Sequence, residues 1–520
     1  MVALGAPHRP PLAVFRADRF CFSRVSRSRV SPAWRSSVKK LSGWNADGVT
    51  FLLLATSAIA AQGQIVTTLH SFDGGDGWGP YQESLVQGED GNFYGTTYGG
   101  GTNNGGTVFR ITAQGSLTTL YSFCALPNCI DGENPNAGLV LATDGNFYGT
   151  TLIGGGNGGG VVFELTPDGT LATLYSFCAQ PSCSDGDNPG AALLQATDGN
   201  LYGTTASGGL GGRGTVFRVS TGGELTTVHR FCMKNQQCPD GYSPRGSLIE
   251  GSGGDLYGTT SSGGDRRSGG TAFRIEKNGA FAFLWLNDMG GGGGPMAGLL
   301  QASDGDFYGT TYYGGIKGGG TVFRATAAGT QKTLYQFQDC VNGDCSEGSL
   351  PTAGLIQATD GTLYGTTSGG GDVNCQAPIT GCGTLFQVSS LGFSKIYTFE
   401  GSDGSDPTGG FFQGTNGMLY GTTSAGGSGD LGTVFSLDMG LGPFVAFVQG
   451  AAAVGQTAGV LGQGFTGTTS VSFNGNSASF VVVSDTFLTA TVPSGATTGY
   501  VTVTTPRVTL TSNVPFRVIP

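Results

Sequence analysis

Histidine, charge and long apolar runs are all scarce in this chain of 520 residues. It holds 3 histidines, and of these only His70 and His229 follow Gln62. Two imidazoles are too few for a histidine-rich copper site, and they leave little choice of base for a Ser-His-Asp triad. Charged residues make up 12% of the chain, which disfavours long solvent-exposed helices.

Basic residues are also few, with 25 Lys and Arg against 35 Asp and Glu. Nine of the basic residues and two of the acids fall in residues 1–62. The rest of the chain therefore has 16 basic and 33 acidic residues, a net charge near −17. Such an acidic body excludes nucleic acid and anionic membrane surfaces as partners, because no basic patch is available to bind phosphates.

The longest apolar run lies in VTFLLLATSAIAAQGQ, residues 49–64, and is too short to cross a bilayer. Small residues at Ala58 and Ala60, with Lys39 and Lys40 upstream, are typical of a secretory signal peptide cleaved after Ala60. The alternative is a buried strand or helix of the first domain. We interpret residues 1–60 as leader and signal peptide, with a true start at Val38, and expect a secreted or surface-associated protein without a transmembrane segment in its mature part.

The chain has 11 cysteines, one of which, Cys21, lies in the leader. The other ten form close pairs: Cys124/Cys129, Cys178/Cys183, Cys232/Cys238, Cys340/Cys345 and Cys375/Cys382. Local, even pairing in an exported chain predicts disulfides. Metal binding is the alternative, but each pair would need two further ligands nearby, so we expect no metal at these pairs.

Glycine is abundant, with 97 residues, and a motif recurs among the glycines. Its Tyr-Gly-Thr-Thr core occurs seven times at nearly even spacing, beginning at Tyr94, Tyr148, Tyr202, Tyr257, Tyr308, Tyr364 and Tyr420. Each unit contains four short strand-like runs separated by turn signals. An Asp-Gly pair, or a close substitute, separates the first two runs and predicts a two-residue type I′ hairpin. A period of about 50 residues with this content is typical of a propeller blade or a solenoid turn.

The two ends of the repeat region complement each other. A strand of the fourth type, VTTLHSF, precedes the first core at 66–72, whereas the last unit ends at 432–438 without a fourth strand. We therefore predict an all-β fold in which residues 64–438 form a seven-bladed β-propeller closed by the N-terminal strand. A solenoid would instead need distinct caps.

The repeat LLQATDGNLYGTT…GTVFRV…LTTLYSF resembles the GloVer tandem repeat of exported bacterial proteins. That resemblance implies a surface or secreted location and no catalytic residues. The Asp-Gly-Asn turn is also weakly similar to the propeller repeats of two-component sensors, which usually have Trp in place of this Tyr.

Residues 442–520 alternate with period two and resemble the IPT/TIG domain, an immunoglobulin-like sandwich. The matching residues are Gly462, Gly464-Phe465, Phe473-Asn474-Gly475, Val492-Pro493 and Gly499. The resemblance implies a spacer or binding module.

In such a ring the Asp-Gly hairpins share one face, here called the hairpin face. The Gly-rich loops, the long inter-blade loops and all five cysteine pairs share the other, the stapled face. Variable loops on a rigid scaffold favour binding, although the disulfides are equally explained as support for loops with little to bury. The candidate ligand-binding aromatics there are Trp78, Tyr98, Tyr242, Tyr312 and Tyr313.

These features favour an exported, non-enzymatic binding or adhesion protein that recognises a glycan or a protein. A carbohydrate-active enzyme and a structural envelope or matrix component remain alternatives. His70 and His229 replace residues of the fourth strand and are interpreted as structural. No catalytic residue and no cofactor is predicted, apart from possible Ca²⁺ binding by acidic loops such as Asp185 and Asp187.

Overall fold

Strands and tight turns make up the described part of the protein. The computed structural model describes residues 65–82, 84–233, 238–264, 269–286, 291–341, 344–372, 375 and 381–519. Within those residues the only helical segments are two single 3-10 turns, Pro127–Cys129 and Pro181–Cys183. None of the helical segments found there has the length and apolar character needed to span a membrane. The predicted leader and Cys21 lie outside the described residues.

Seven four-stranded antiparallel sheets follow one another along the chain. Sheet 7 also contains the first strand, β1 (Ile65–Ser71). Sheet 1 contains β2 (Val86–Gln87), β3 (Phe93–Thr97), β4 (Thr107–Ile111) and β5 (Leu117–Ser122). Sheet 2 contains β6 (Val140–Leu141), β7 (Phe147–Thr151), β8 (Val161–Leu165) and β9 (Leu171–Ser176). Sheet 3 contains β10 (Leu194–Gln195), β11 (Leu201–Thr205), β12 (Thr215–Val219) and β13 (Leu225–Arg230).

The remaining sheets repeat this order. Sheet 4 contains β14 (Ile249–Glu250), β15 (Leu256–Thr260), β16 (Thr271–Ile275) and β17 (Phe281–Leu286). Sheet 5 contains β18 (Leu300–Gln301), β19 (Phe307–Thr311), β20 (Gly318–Ala325) and β21 (Gln331–Gln338). Sheet 6 contains β22 (Ile356–Gln357), β23 (Leu363–Thr367), β24 (Thr384–Ser389) and β25 (Gly392–Thr398). Sheet 7 adds β26 (Phe412–Gln413), β27 (Leu419–Thr423) and β28 (Thr433–Asp438) to β1.

The seven sheets close into a propeller-like ring. β1 pairs antiparallel with β28, from Ile65 opposite Asp438 to Ser71 opposite Thr433. Each pair of consecutive sheets shares a buried apolar cluster, and so do sheets 7 and 1, where Phe72 packs with Phe109 and Val434. The N-terminal strand therefore completes the last sheet, as the complementary ends of the repeat region predict.

The Asp-Gly hairpins differ from the predicted type I′ turn. In the first of them only Gly91 has a positive φ, of 79°, while Asp90 does not. The Gly91 N–H donates to the Gly88 carbonyl, which makes a type I turn followed by a left-handed glycine. The Asp90 carboxylate accepts from the Asn92 N–H and from the Tyr94 hydroxyl, 3.0 Å away. The hairpin of sheet 4 makes the same turn with Gly253 in place of Asp.

In most sheets the repeated Tyr therefore links the hairpin to its own sheet and to the next sheet. The Tyr-Asp hydrogen bond recurs in four more sheets, at Tyr148, Tyr202, Tyr308 and Tyr364. Burial, followed by the bond to Asp304, raises the pKa of Tyr308 to about 12, so its hydroxyl remains a donor at physiological pH. The rings pack on the following sheet, and the Tyr420 ring lies 4.0 Å from that of Phe93 across the ring closure.

The residues after the Tyr are equally constrained. A Cβ placed on Gly203 would lie 2.5 Å from the Phe217 ring, so only glycine at this position allows the ring to approach so closely. In six sheets the first Thr donates to a carbonyl of the next sheet, as from Thr96 to Ala137, whereas Thr422 of sheet 7 has no such partner. In six sheets the second Thr bonds to a Thr of the third strand, as between Thr97 and Thr107, and in sheet 2 Val161 takes the place of that Thr.

A glutamine at the end of the innermost strand joins neighbouring hairpins. The side-chain carbonyl of Gln195 accepts from the Thr143 N–H of the preceding sheet, 2.9 Å away. The same bond is made by Gln87, Gln301, Gln357 and Gln413, and Glu250 replaces glutamine in sheet 4. These innermost strands span only two residues, fewer than the apolar run before each hairpin, such as AALLQAT at 191–197. The residues before these strands instead line the centre of the ring.

The C-terminal module, residues 446–519, is built from two further four-stranded sheets. With one further pair of strands, the module has ten strands in chain order: β29 (Ala446–Phe447), β30 (Ala451–Ala453), β31 (Thr457–Leu461), β32 (Ser470–Phe473), β33 (Asn476–Ala478), β34 (Phe480–Val482), β35 (Phe487–Thr491), β36 (Val501–Thr504), β37 (Thr509–Thr511) and β38 (Arg517–Ile519). One sheet has the order β29-β31-β35-β34 and the other β33-β32-β36-β37, while β30 pairs with β38. Side chains from both sheets form one buried core around Phe465, Phe473 and Phe516.

This module packs on the hairpin face of the ring. Its Thr486 hydroxyl donates to the Glu89 carbonyl of sheet 1, and Gln463 donates to Thr415 of sheet 7. Further contacts join Gln449 to the Ala196 carbonyl of sheet 3 and Arg517 to the hairpin of sheet 4. Because these sheets lie on opposite sides of the ring, the module lies across one mouth of the central channel.

Candidate functional site

The stapled face is held by all five predicted disulfides. They join Cys124 to Cys129, Cys178 to Cys183, Cys232 to Cys238, Cys340 to Cys345 and Cys375 to Cys382. Four of them close a short loop between the outermost strand of one sheet and the innermost strand of the next, and the Cys375–Cys382 bond lies in the Gly-rich loop of sheet 6. Glu133 lies close to the sulfurs of Cys124 and Cys129, but those sulfurs are bonded to each other and are not free to bind a metal.

The acidic residues of these loops have structural partners. The Asp185 carboxylate is 3% exposed and accepts from the Tyr175 hydroxyl and from the N–H groups of Ala179 and Gln180. Burial raises the pKa of the nearby Asp187. Because Asp185 is already committed to protein donors, the Ca²⁺ interpretation gains no support from it.

His70 and His229 take the role that Tyr175 has in sheet 2. The His70 imidazole contacts the Asp76 carboxylate at 2.5 Å, and His229 contacts Asp240 at 3.2 Å. Both histidines thus join an outermost strand to the acidic residue of the following loop, which is the structural role the sequence predicts for them.

The five candidate aromatics fall into three separate groups. Trp78 and Tyr98 have ring centroids 5.6 Å apart, and Tyr81, which the sequence analysis did not select, contacts Tyr98 at 5.5 Å. Tyr312 and Tyr313 pack together in sheet 5 with centroids 6.3 Å apart. Arg213 lies over the ring of Tyr242, 4.8 Å from its centroid. The structure therefore offers several aromatic patches around one face.

The channel mouth on the stapled face is lined by a position that the sequence analysis missed. Each Pro before an innermost strand is followed by a variable residue, and these seven residues are Tyr81, Asn136, Gly190, Arg245, Met296, Thr352 and Thr408. All of them line one or both of two adjacent cavities of about 170 Å³ each. Variation of the residue that follows a Pro shared by all seven repeats was the available signal.

Two hydroxyls in this set are buried without a partner. Thr352 and Thr408 are 9% and 7% exposed, and neither Oγ1 has a hydrogen-bond partner among the described residues. Arg245 is exposed and makes no ion pair or hydrogen bond with the described residues. Unpartnered buried hydroxyls are uncommon in folded proteins, so these call for an explanation.

Asp406, two residues before Thr408 in sheet 7, is 8% exposed and is also incompletely bonded. One carboxylate oxygen accepts from the Ser424 hydroxyl at 2.8 Å, whereas the other has no partner among the described residues. Burial raises the pKa of this carboxyl. The matching residue in sheet 2, Asn134, donates its amide to the Tyr98 carbonyl.

We expect Asp406→Asn to stabilise the protein by about 1 to 2 kcal/mol at pH 7, because an amide can donate where the carboxylate leaves an oxygen unpartnered. Asn also suits the left-handed φ of 55° at this position. Because the pKa of Asp406 is raised in the folded state, this residue contributes to the free energy of unfolding at low pH, and that contribution is lost as pH rises through the folded pKa. The extra stability of Asp406→Asn over the unchanged protein, measured by urea unfolding, should therefore become smaller as the pH is lowered towards 3.8. The reverse change, Asn134→Asp, should destabilise the protein by a similar amount; a stabilised Asn134→Asp or a destabilised Asp406→Asn would contradict this account.

The sequence profile of the Gloeobacter/Verrucomicrobia repeat family matches residues 40–239 and residues 178–379. These matches cover more than half of the chain and include most of the ring. No curated protein matches the chain significantly.

Several solved structures are distantly similar. A protein of unknown function from Bacteroides thetaiotaomicron has a TM-score of 0.40 at 13% identity, covering 72% of this chain and 76% of that one. The PQQ-bound aldose sugar dehydrogenase of Streptomyces coelicolor has 0.38 at 14%, covering 58% and 93%. PorZ, a surface component of the type-IX secretion system of Porphyromonas gingivalis, has 0.41 at 15%, covering 83% and 58%. At these scores the similarities carry no conclusion about the activity of this chain.

Proposed function

The chain belongs to the Gloeobacter/Verrucomicrobia repeat family, and from that premise we propose that it is an exported, non-enzymatic binding or adhesion protein. Its seven-bladed propeller, residues 64–438, would recognise a glycan or a surface protein through the stapled face. Export fits the five disulfides and the leader pattern of residues 1–60.

The observation that carries this proposal is the unequal use of the two faces. The hairpin face packs against the C-terminal module, whereas the stapled face carries disulfide-held loops, the aromatic groups and the channel mouth. Loops held rigidly on a scaffold suit recognition, because little conformational entropy is lost when a ligand binds. Both histidines beyond the leader have structural contacts, which favours binding over imidazole-based catalysis.

The C-terminal module fits the proposal as an immunoglobulin-like, IPT/TIG-type domain of residues 442–520. Its two sheets around one core support that assignment. Its hydrogen bonds to sheets 1, 3, 4 and 7 favour a module held against the ring, in place of a freely extended spacer.

A glycan array probed with residues 61–520, produced in an oxidising compartment, tests the proposal. We expect reproducible binding to one class of sugar, because aromatic faces with neighbouring amide and carboxylate acceptors suit sugar rings. Trp78→Ala and Tyr312→Ala should each lower the signal at least tenfold. Phe283→Ala is the matched control, since Phe283 is 48% exposed on the outermost strand of sheet 4.

A blank array would contradict the glycan form of the proposal and shift it to protein partners. Self-association of the pure chain with no response to any ligand would instead support the structural role. Equal losses of signal for Phe283→Ala and Trp78→Ala would show that the stapled face is not the recognition surface.

A carbohydrate-active enzyme is the second candidate, and Asp406 is the residue that favours it. A buried carboxyl with a raised pKa is the group that a general acid requires. Turnover of a polysaccharide by the pure chain, lost in Asp406→Asn while the fold is retained, would establish this alternative.

A further inference from the structure

We propose that the channel mouth on the stapled face is a binding site for a uronic acid unit, a sugar that carries a carboxylate. This inference rests on the proposed function, because it names the chemistry of one ligand on the same face. The site is defined by Arg245, Thr352, Thr408, Asn136 and Gln82, all of which line the two cavities.

The charge at this site is unusual for the chain. Arg245 is the only charged side chain among the described residues that line the cavities, and it has no counterion among them. Beyond the leader the chain is strongly acidic, so an anion would be repelled from most other parts of its surface. A guanidinium offers paired N–H donors that match a carboxylate, which makes a carboxylate the expected partner of Arg245.

The neutral groups of the site require hydroxyls from the same ligand. The Thr352 and Thr408 hydroxyls are more than nine-tenths buried and unpartnered among the described residues. Each can donate one hydrogen bond and accept others. The Asn136 amide makes only long bonds, of 3.3 Å, to Gln82 and to the Gly190 carbonyl. A ligand with a carboxylate at one end and hydroxyls around a ring would satisfy all of these groups together.

Size and access are consistent with one sugar unit. Each cavity of about 170 Å³ is several times the roughly 30 Å³ that a water molecule occupies. The cavities share Gln82, Gly190, Arg245 and Thr408, so they adjoin one another. Since the C-terminal module lies across the opposite mouth, a terminal sugar of a glycan would enter from the stapled face and end within the channel.

Comparison of the seven repeats distinguishes the residues of this site from the residues that build the ring. Residues that build the ring, such as the core Tyr and the two Thr, are the same in all seven sheets. The residue after the Pro that precedes each innermost strand varies between the repeats, and it brings an arginine, two threonines and an amide to one opening. The Thr352 and Thr408 hydroxyls make no bond between sheets and both line the cavities, whereas Thr422, an unpartnered Thr of the repeated core, does not line them.

Titration calorimetry with residues 61–520 tests the inference, using D-glucuronate and D-galacturonate against D-glucose, D-galactose, acetate and inorganic phosphate. We expect one uronate to bind at least tenfold more tightly than its neutral sugar and more tightly than acetate or phosphate. Arg245→Gln should remove the preference for the uronate over the neutral sugar. Arg218→Gln, which removes an equal charge from the third strand of sheet 3, away from the cavities, should leave that preference unchanged.

Thr408→Val separates binding from folding. Because the hydroxyl it removes is unpartnered, the melting temperature should stay equal or rise, while uronate affinity should fall about tenfold. Equal affinity for glucuronate and glucose, acetate or phosphate binding as tight as the uronate, or uronate binding unaffected by Arg245→Gln would each overturn the inference. Neutral glycans bound on the array without a uronate preference would leave the proposed function standing and defeat only this site. A blank array together with no binding of either uronate would defeat this site and the glycan form of the proposed function together.

Discussion

Deletion of residues 61–72 is expected to abolish cooperative unfolding of the ring. β1 supplies the fourth strand of sheet 7, and its removal leaves β28 as an open edge along the whole register from Thr433 to Asp438. The deletion also removes Phe72, which is fully buried and packs with Phe109 at the junction of sheets 7 and 1. Urea unfolding followed by tryptophan fluorescence and circular dichroism should then show a broad transition with a lowered m value.

Two controls make this result interpretable. A chain that begins at residue 61 keeps β1 and should unfold cooperatively. A synthetic peptide of residues 62–73 added to the truncated chain should restore part of the transition, because the missing strand is antiparallel to β28 and needs no covalent link. A truncated chain with the same midpoint and m value as the chain starting at 61 would refute closure by β1.

Replacement of Glu250 by Ala should lower the free energy of unfolding by about 3 to 5 kcal/mol, the range expected when one partner of a buried ionic network is removed. The Glu250 side chain is 8% exposed and accepts from Thr197, from Lys277 at 3.0 Å and from Arg517 at 2.9 Å. Its loss removes the link between two hairpins and leaves Lys277 and Arg517 without their shared carboxylate. Because Arg517 belongs to the C-terminal module, proteolysis near residue 440 should also accelerate.

Glu250→Gln is the matched variant. Other sheets have glutamine at this position and keep the bond to the preceding hairpin, so this change should cost only about 1 kcal/mol. Burial acts to raise the pKa of Glu250, but the hydrogen bonds from Thr197, Lys277 and Arg517 outweigh it and hold the pKa below 4.5. Ionised Glu250 therefore contributes to the free energy of unfolding above pH 4.5, and this contribution is lost as pH falls through the folded pKa. The Glu250→Gln variant should not show this decrease at low pH. Equal destabilisation by Ala and Gln would contradict this reading.

The architecture of the ring could be predicted from the sequence because the same four-strand pattern recurs in all seven repeats. The four strands per unit, the complementary ends and the cysteine pairs are all local patterns, and the structure confirms the closing strand and the disulfides. The type I′ prediction was wrong because Asp-Gly also fits a type I turn with a left-handed glycine. The Tyr94 bond to Asp90 does not decide between them, because the hairpin of sheet 4 has Gly253 in place of Asp and still makes the same turn with a left-handed Gly254.

Contacts between residues far apart in the chain could not be predicted from the sequence. The packing of the C-terminal module joins Thr486 to Glu89 and Arg517 to Glu250, pairs far apart in the chain with no shared motif. The Gln195 link between hairpins was visible as a repeated letter, but its acceptor role requires the distance between sheets.

The candidate site was predicted only in outline. Choosing aromatics by type found Trp78 and Tyr98, yet missed Tyr81, which contacts Tyr98. The position after each Pro was missed because no residue type there is shared by all the repeats, and divergence within a repeat carries meaning only once the structure places that position around an opening.

Closure by β1 also sets the order in which the molecule can be completed. The strand that finishes sheet 7 leaves the ribosome first, and its partner β28 emerges only after the first six sheets have been synthesised. Sheets 1 to 6 can form from contiguous segments, but β1 must remain unpaired until Asp438 has been added. The last pairing to form is thus the one between the earliest and the latest strands of the ring, a long-range contact of the kind that slows folding. An unpaired β1 in the meantime is an edge open to β28 of another copy, so strand exchange between neighbouring chains is the misassembly to which this topology is most exposed.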